Sequence, residues 1–278
     1  MSVRYKQTAE ILQYRTEEEV KEMGNNHIQP AGVFGHHRAA LTTHYAVMPP
    51  EGILESKIPG IINTVVSVQT SRQMGAGFSQ LHLAIWQDGG METAINDGKQ
   101  GFYYVISGYP EIEIDGNIHA LRPGSYAYAP AGTASRITNS KTDIARVIWI
   151  RKTYEPASGL AVPAPFVSHK DNVEKVNKHT QGRIWQHLLP ENDLAFDFHV
   201  NILSFEPGNY FPMVETHVME HGLYMLEGQG MYLLQHDWHE CWQDDFIYMA
   251  PYCPQFFYAT GWSTASYLLY KDVNRDNF

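Results

Sequence analysis

Beyond a polar opening stretch, the chain is a succession of short apolar or alternating runs. Gly, Pro, Asn and Asp separate them, which is the pattern of sheets joined by tight turns. Tyr103-Tyr104-Val105-Ile106, Ala145 to Ile150 and Tyr267-Leu268-Leu269-Tyr270 are clear examples. They predict strands, because β-branched and aromatic side chains fit a pleated surface. Helical periodicity is confined to the N-terminal arm, with its acidic run Glu17 to Glu19, and to the segment near Asp171 to Lys178.

An internal repeat organises these strands. The run from Phe102 to Gly108 is echoed from Gly222 to Gly228, and Ser125 to Pro130 is echoed by Asp245 to Pro251. Val147 to Lys152 is echoed by Tyr267 to Lys271, so three echoes lie in the same order about 120 residues apart. Such collinearity predicts a duplicated β domain, with a Pro-rich boundary between Tyr154 and Pro165. The expected divisions are an arm over 1–37, an N-terminal domain over 38–155 and a C-terminal domain over 156–278.

Each half reads as strand, Gly turn, strand, Gly or Asp turn, then a strand ending at Pro. That order resembles the cupin jelly-roll barrel, so the predicted fold is all-β with two tandem cupin domains. In the N-terminal half, Gly124, Pro130 and Gly132 open a cupin motif whose metal-binding His would fall at Ser135. The Asn that follows the His position in this motif is present as Asn139, and the His is not. The first barrel therefore reads as a domain without metal ligands.

Composition narrows the partners. Hydrophobic residues make up 44% of 278, enough for a real core, and the aromatic share of 13% suits sheets. A formal charge of -10 without any block of Lys or Arg argues against nucleic acid. Cys241 and Cys253 are too few for a disulfide framework and form no CxxC pair. No secretory h-region and no apolar run of spanning length are found, so the chain is expected to be cytoplasmic, with no membrane partner. The edges of a two-barrel chain favour a homo-oligomer.

The candidate chemistry lies in the C-terminal half. Glu215, His217 and His221 are separated by even numbers, so an extended segment would project all three to one face. Two imidazoles and a carboxylate are a common ligand set for Mn, Fe or Zn. Gln255 stands near the last ligand position of the second motif, and the aligned N-terminal residues Ile95, Asp97 and Gly101 cannot make such a site. An oxygen-rich set suits manganese, Mn(II), with Zn(II) or another divalent ion as the alternative. Against this, 14 His occur, and His217 with His221 would also suit a satisfied pair on a barrel rim. His36 and His37 read as non-ligands, and His236 and His239 as solvated turn residues beside Trp238.

These residues resemble the (S)-ureidoglycine aminohydrolase family. The resemblance is carried by Phe196-Asp197-Phe198, Leu203 to Gly208, Glu215-Thr216-His217, Glu220-His221-Gly222 and Leu226 to Gly230. It continues through Met249-Ala250-Pro251, Pro254-Gln255 and Tyr267 to Arg275, and more loosely through Ile58-Pro59-Gly60 and Arg151 to Tyr154. It implies hydrolysis of a small ureide, (S)-ureidoglycine, to (S)-ureidoglycolate and ammonia, in a chain ligating Mn(II) through Glu215, His217, His221 and Gln255. It further implies that Tyr232, Tyr267, Lys271 and Glu215 hold the substrate, with Glu215 and Lys271 in catalytic roles. Two alternatives use the same features: another metal-dependent cupin enzyme, an isomerase or dioxygenase acting on a small carboxylate, or a non-catalytic small-molecule-binding cupin.

Overall fold

A strand that is apolar on both faces must be covered on both sides, and this requirement shapes the molecule. The computed structural model describes residues 37–178 and 180–275. The chain falls into two units, Met1–Ala39 and Ala40–Phe278, and the second is described here. The expected N-terminal helix and His36 lie outside the described residues.

The N-terminal half contains β1 (Ala40–Leu41), β2 (Tyr45–Met48), β3 (Ile61–Thr70), β4 (Phe78–Met91) and β5 (Lys99–Ser107). It continues with β6 (Glu111–Ile114), β7 (Asn117–Ala120), β8 (Ser125–Ala129), β9 (Ser135–Asn139) and β10 (Ala145–Thr153). After the Pro-rich stretch come β11 (Phe166–His169), β12 (Val176–Asn177), β13 (Arg183–His187), β14 (Phe198–Phe205) and β15 (His221–Glu227). The last strands are β16 (Gln229–Leu234), β17 (Asp237–Trp242), β18 (Phe246–Met249), β19 (Gln255–Thr260) and β20 (Ala265–Asp272). The helix expected near Asp171 to Lys178 is a correction: the chain makes a single 3-10 turn at Lys170–Asn172 and then β12. His169 caps the start of that turn by accepting from the Asp171 N–H, Val173 closes it in extended conformation, and the β-branched Val173 and Val176 favour the extended chain that follows.

The strands form an all-β, cupin-type architecture. A nine-stranded sheet runs β11-β8-β5-β10-β4-β9-β6-β7, with β3 on β4. An eight-stranded sheet runs β1-β2-β18-β15-β20-β14-β13-β12, and β17-β16-β19 form a third. The long β4 reaches both walls of the first barrel because it bends at Asp88 to Gly90. At Gly90, φ is 118° and a Cβ would stand 2.3 Å from the Ile137 carbonyl, so only glycine fits.

Sheet membership crosses the repeat boundary in both directions. β2 pairs with β18, from Tyr45 opposite Met249 to Met48 opposite Phe246. In return, β11 pairs with β8, from Phe166 opposite Tyr128 to His169 opposite Ser125. We keep 38–155 and 156–278 as proposed repeat units, each lending an edge to the other. Tyr45 fastens the lent edge: its hydroxyl donates to Asp237 at 2.7 Å and lies 3.2 Å from His239 Nε2. His239 is thus half-buried on a strand, not solvated in a turn as the sequence suggested; the turn holds His236.

Alternation then divides the side chains among three cores. Val147 and Trp149 enter the first barrel, while Ile148 and Ile150 enter a layer between the two large sheets. Tyr267 and Leu269 enter the second barrel, while Leu268 and Tyr270 meet the shared layer. Within that layer Phe78 stacks on Tyr270 at 4.4 Å. A fully buried Asp197 pins it, accepting from Gln100 Nε2 at 2.6 Å, Lys152 Nζ at 2.7 Å and the Glu155 N–H at 2.8 Å. Removing one partner of a buried ion pair strands the other charge. Asp197→Ala is therefore expected to lower unfolding stability by about 3–5 kcal/mol, seen as a lower urea midpoint; an unchanged midpoint would refute the pin.

Candidate metal centre

The segment from the end of β14 to the first residue of β15 carries three of the candidate ligands, and it is not one extended strand. Four residues of extended chain span about 13 Å, yet the His217 and His221 rings lie 4.5 Å apart, nearly parallel at 21°. The chain bends at Val218, and Glu220 N–H donating to Asp272 at 2.6 Å holds the bend. The even spacing thus marks residues that meet, but through a turn and not through strand alternation.

Gln255 closes the group from the facing sheet. Its carboxamide nitrogen lies 2.8 Å from His217 Nε2, and its carbonyl oxygen accepts from the Tyr232 hydroxyl at 3.4 Å. Glu215 sits opposite Gln255 in a reciprocal backbone bridge, with both N–H···O contacts at 2.9 Å. Opposed residues put their side chains on the same face. The Glu215 charge is felt at Tyr232, Tyr267 and Lys271. Among the described residues, no three His, Cys, Asp or Glu side chains converge tightly enough to form a metal-holding group by themselves. What the fold brings together is a ring pair and an amide, with the carboxylate one backbone bridge away.

The electrostatics keep both rings neutral. Burial, then His217 and Lys271, hold the His221 imidazole well below its ordinary value. Burial, then Lys271, lower His217. Neutral imidazole is the form that binds a cation, and the Nδ1 atoms of both rings are buried without a hydrogen-bond partner. Neutral nitrogens, an amide and a nearby carboxylate fit a divalent ion of mixed N/O preference. Lys271 stands opposite His221 across β20 and β15. Burial lowers its own pKa, against the support of Glu191 and Glu215. Tyr232 and Tyr267 are buried beneath, and burial raises both phenols, so they remain hydrogen-bond donors.

The first barrel offers a built-in comparison. Gly101 opposes Arg151 across β5 and β10, as His221 opposes Lys271 one repeat later. Trp149 and Tyr103 stack at 5.7 Å inside it, and the Tyr103 hydroxyl bonds Ser135 Oγ at 2.9 Å. A Cβ at Gly101 would already stand 3.2 Å from Trp149 Nε1. Asp97 pairs with Arg151. The positions of His217, His221 and Gln255 thus hold an ion-paired Asp, a Gly and a hydrogen-bonded Ser.

Comparison with known proteins identifies the family. The Cupin domain family matches residues 83–151, within the first barrel. A relative named (S)-ureidoglycine aminohydrolase, from Escherichia coli strain K12, is 33% identical over 84% of this chain and 90% of its own length. The chain belongs to the (S)-ureidoglycine aminohydrolase family. Its Arabidopsis thaliana relative of the same name is 28% identical over 87% of this chain and 80% of its own. The crystal structure of protein Ylba from E. coli superposes with a TM-score of 0.79 at 31% identity, covering 87% of this chain and 96% of that one.

Sequence reasoning missed several residues tied to Lys271 or to one another by register or charge: His199 on β14, His187 on β13 and Glu191, with Asn201 beside them. His187 Nδ1 meets Asn201 Oδ1 at 3.0 Å, and its Nε2 lies 3.2 Å from Glu191. Alternation of His199 and Asn201 with Phe198, Val200 and Ile202 reads as a solvated polar face. The barrel turns that face inward.

Two predictions follow from packing and charge here. Gly222 opposes Tyr270, and a Cβ there would stand 2.2 Å from the ring. Gly222→Ala is expected to cost about 1–3 kcal/mol and to weaken divalent-metal binding by moving His221, checked by calorimetric titration of metal. The second concerns acid. His199 is pushed down to about 4 and His82 to about 3, each by burial first. Their unfolded forms titrate near 6.5, so their stabilisation is full above that pH and lost as pH falls. Glu220 works the other way, its carboxyl raised to about 7 by burial. Two histidines outweigh one carboxyl, and the metal-free midpoint is expected to fall between pH 7 and pH 4.

Proposed function

We propose that this chain hydrolyses (S)-ureidoglycine to (S)-ureidoglycolate and ammonia at a divalent metal held by Glu215, His217, His221 and Gln255. The observation that carries the reading is the meeting of two neutral imidazoles with the Gln255 amide, beside a partly buried Lys271. Turning the carboxamide about its last bond would present oxygen toward His217, and an oxygen-rich set favours Mn(II). When bound, the cation supplies Lewis acidity at the nitrogen-bearing carbon of the substrate.

The chain's own residues do the rest. Lys271, a partly buried point charge, holds the substrate carboxylate. Tyr232 and Tyr267 donate hydrogen bonds to carboxylate or ureido oxygen. Glu215 orients the departing amine and takes a proton from the incoming water. The closed barrel floor of Phe205, Phe257 and Tyr267 keeps bulk water away from the reacting carbon. We also propose a homo-oligomer that contacts through the outer face of β16, β17 and β19, where Trp238 and Tyr258 stand exposed.

The test is ammonia release from ureidoglycine formed in situ, with product chirality followed. Mn(II)-loaded protein should exceed spontaneous decay and carry about one metal per chain. His217→Ala should lose both metal and rate, and a variant that keeps both would sink the assignment. Glu215→Gln retains an oxygen donor without the charge. It is expected to bind metal yet slow turnover about a hundredfold or more, and an unchanged kcat would remove Glu215 from proton transfer.

A further inference from the structure

Strands β14, β20 and β15 lie side by side, and their register places His199 opposite Lys271, and Lys271 opposite His221. Opposed residues share a face. This row faces the second barrel's interior, as Leu203, Tyr267 and Leu223 do on the same three strands. His199 is 5% exposed, and its Nε2 is buried with no hydrogen-bond partner. A buried polar atom left unpaired is costly, so this nitrogen requires an account. Packing alone does not supply one, since the neighbouring polar group on that wall, Asn201, is already engaged with His187.

We propose that His199 is a substrate-binding residue, its Nε2–H donating to the carboxylate that Lys271 anchors, on the side away from His221. This rests on the reading of Lys271 given above. A lysine ammonium attracts a carboxylate without fixing its plane, whereas a ring N–H held by packing adds direction. Two donors of different geometry on one carboxylate fix how the adjoining carbon is turned toward His217 and His221, and so which face of it is attacked. Burial and the Lys271 ammonium keep this imidazole uncharged at neutral pH, so it serves as a directional donor and not as a second cation.

The probe is glycolate, a two-carbon hydroxy acid, titrated calorimetrically into the Mn(II)-loaded full chain at neutral pH. His199→Leu is expected to weaken binding about ten- to hundredfold, as for a lost hydrogen bond to a charged group. His199→Gln, which keeps an N–H donor of similar reach, should recover most of it and also serves if the Leu variant folds poorly. Metal content should be unchanged in both, and Lys271→Met should abolish binding. Glycolate affinity within twofold of wild type in His199→Leu would overturn the proposal. So would a Gln variant no better than Leu, a loss of metal in both variants, or undiminished binding by Lys271→Met. Wild-type protein that binds glycolate with this variant pattern, yet releases no ammonia from ureidoglycine, would refute the proposed reaction and leave the His199 assignment standing.

Discussion

The apolar layer between the two large sheets is the constraint on which the rest depends. Strands β2, β5, β8, β10, β15, β18 and β20 each serve two cores, with alternate side chains committed to a barrel or to the layer. Such a strand cannot slip by one residue without exchanging its two faces. The layer therefore fixes the register of β20 against β15, and with it the position of Lys271 beside His221. A chain of contact runs from Phe78 in the first barrel to Tyr270, from Tyr270 to Gly222, and from Gly222 to the adjoining His221. The first barrel thus shapes the candidate site while holding none of its ligands.

Duplication left two interiors with opposite solutions to the same volume. A small barrel is just wide enough to be filled by side chains or to hold one small ligand. Trp149 and Tyr103 fill the first, and Asp97 with Arg151 neutralise its polar end. The second keeps smaller or polar groups at those places, with Leu269 where Trp149 stands in its twin. Polar side chains set into an apolar interior must find partners, and among the described residues the ring nitrogens His199 Nε2, His217 Nδ1 and His221 Nδ1 are buried without one.

Much of this was legible in the residues. The repeat announced the all-β cupin architecture, and Ser135 in place of a His is why the candidate ligands were sought in the second half. Three things were not legible, each for a physical reason. The lending of β2 and β11 across the boundary depends on long-range hydrogen bonds that leave no local pattern. The bend between Glu215 and His221 arises from Glu220 donating to Asp272 at the far end of the chain, so an even spacing was read as a strand. His199 alternates with apolar neighbours as an exposed residue would. Only the direction in which the sheet closes decides that its face is internal.

Charge explains why these groups tolerate one another. Lys271 is partly buried, which works against its own ionisation, and Glu191 and Glu215 partly offset that cost. Burial first, with the same ammonium adding to it, depresses His199, His217 and His221 and keeps all three imidazoles neutral. Neutrality is what metal binding demands of His217 and His221, and it leaves His199 able to donate without adding a second cation. Three carboxylates, Glu191, Glu215 and Asp272, bear on the Lys271 ammonium. The positive charge on this wall is therefore supported by the protein itself, and the three imidazoles beside it add none.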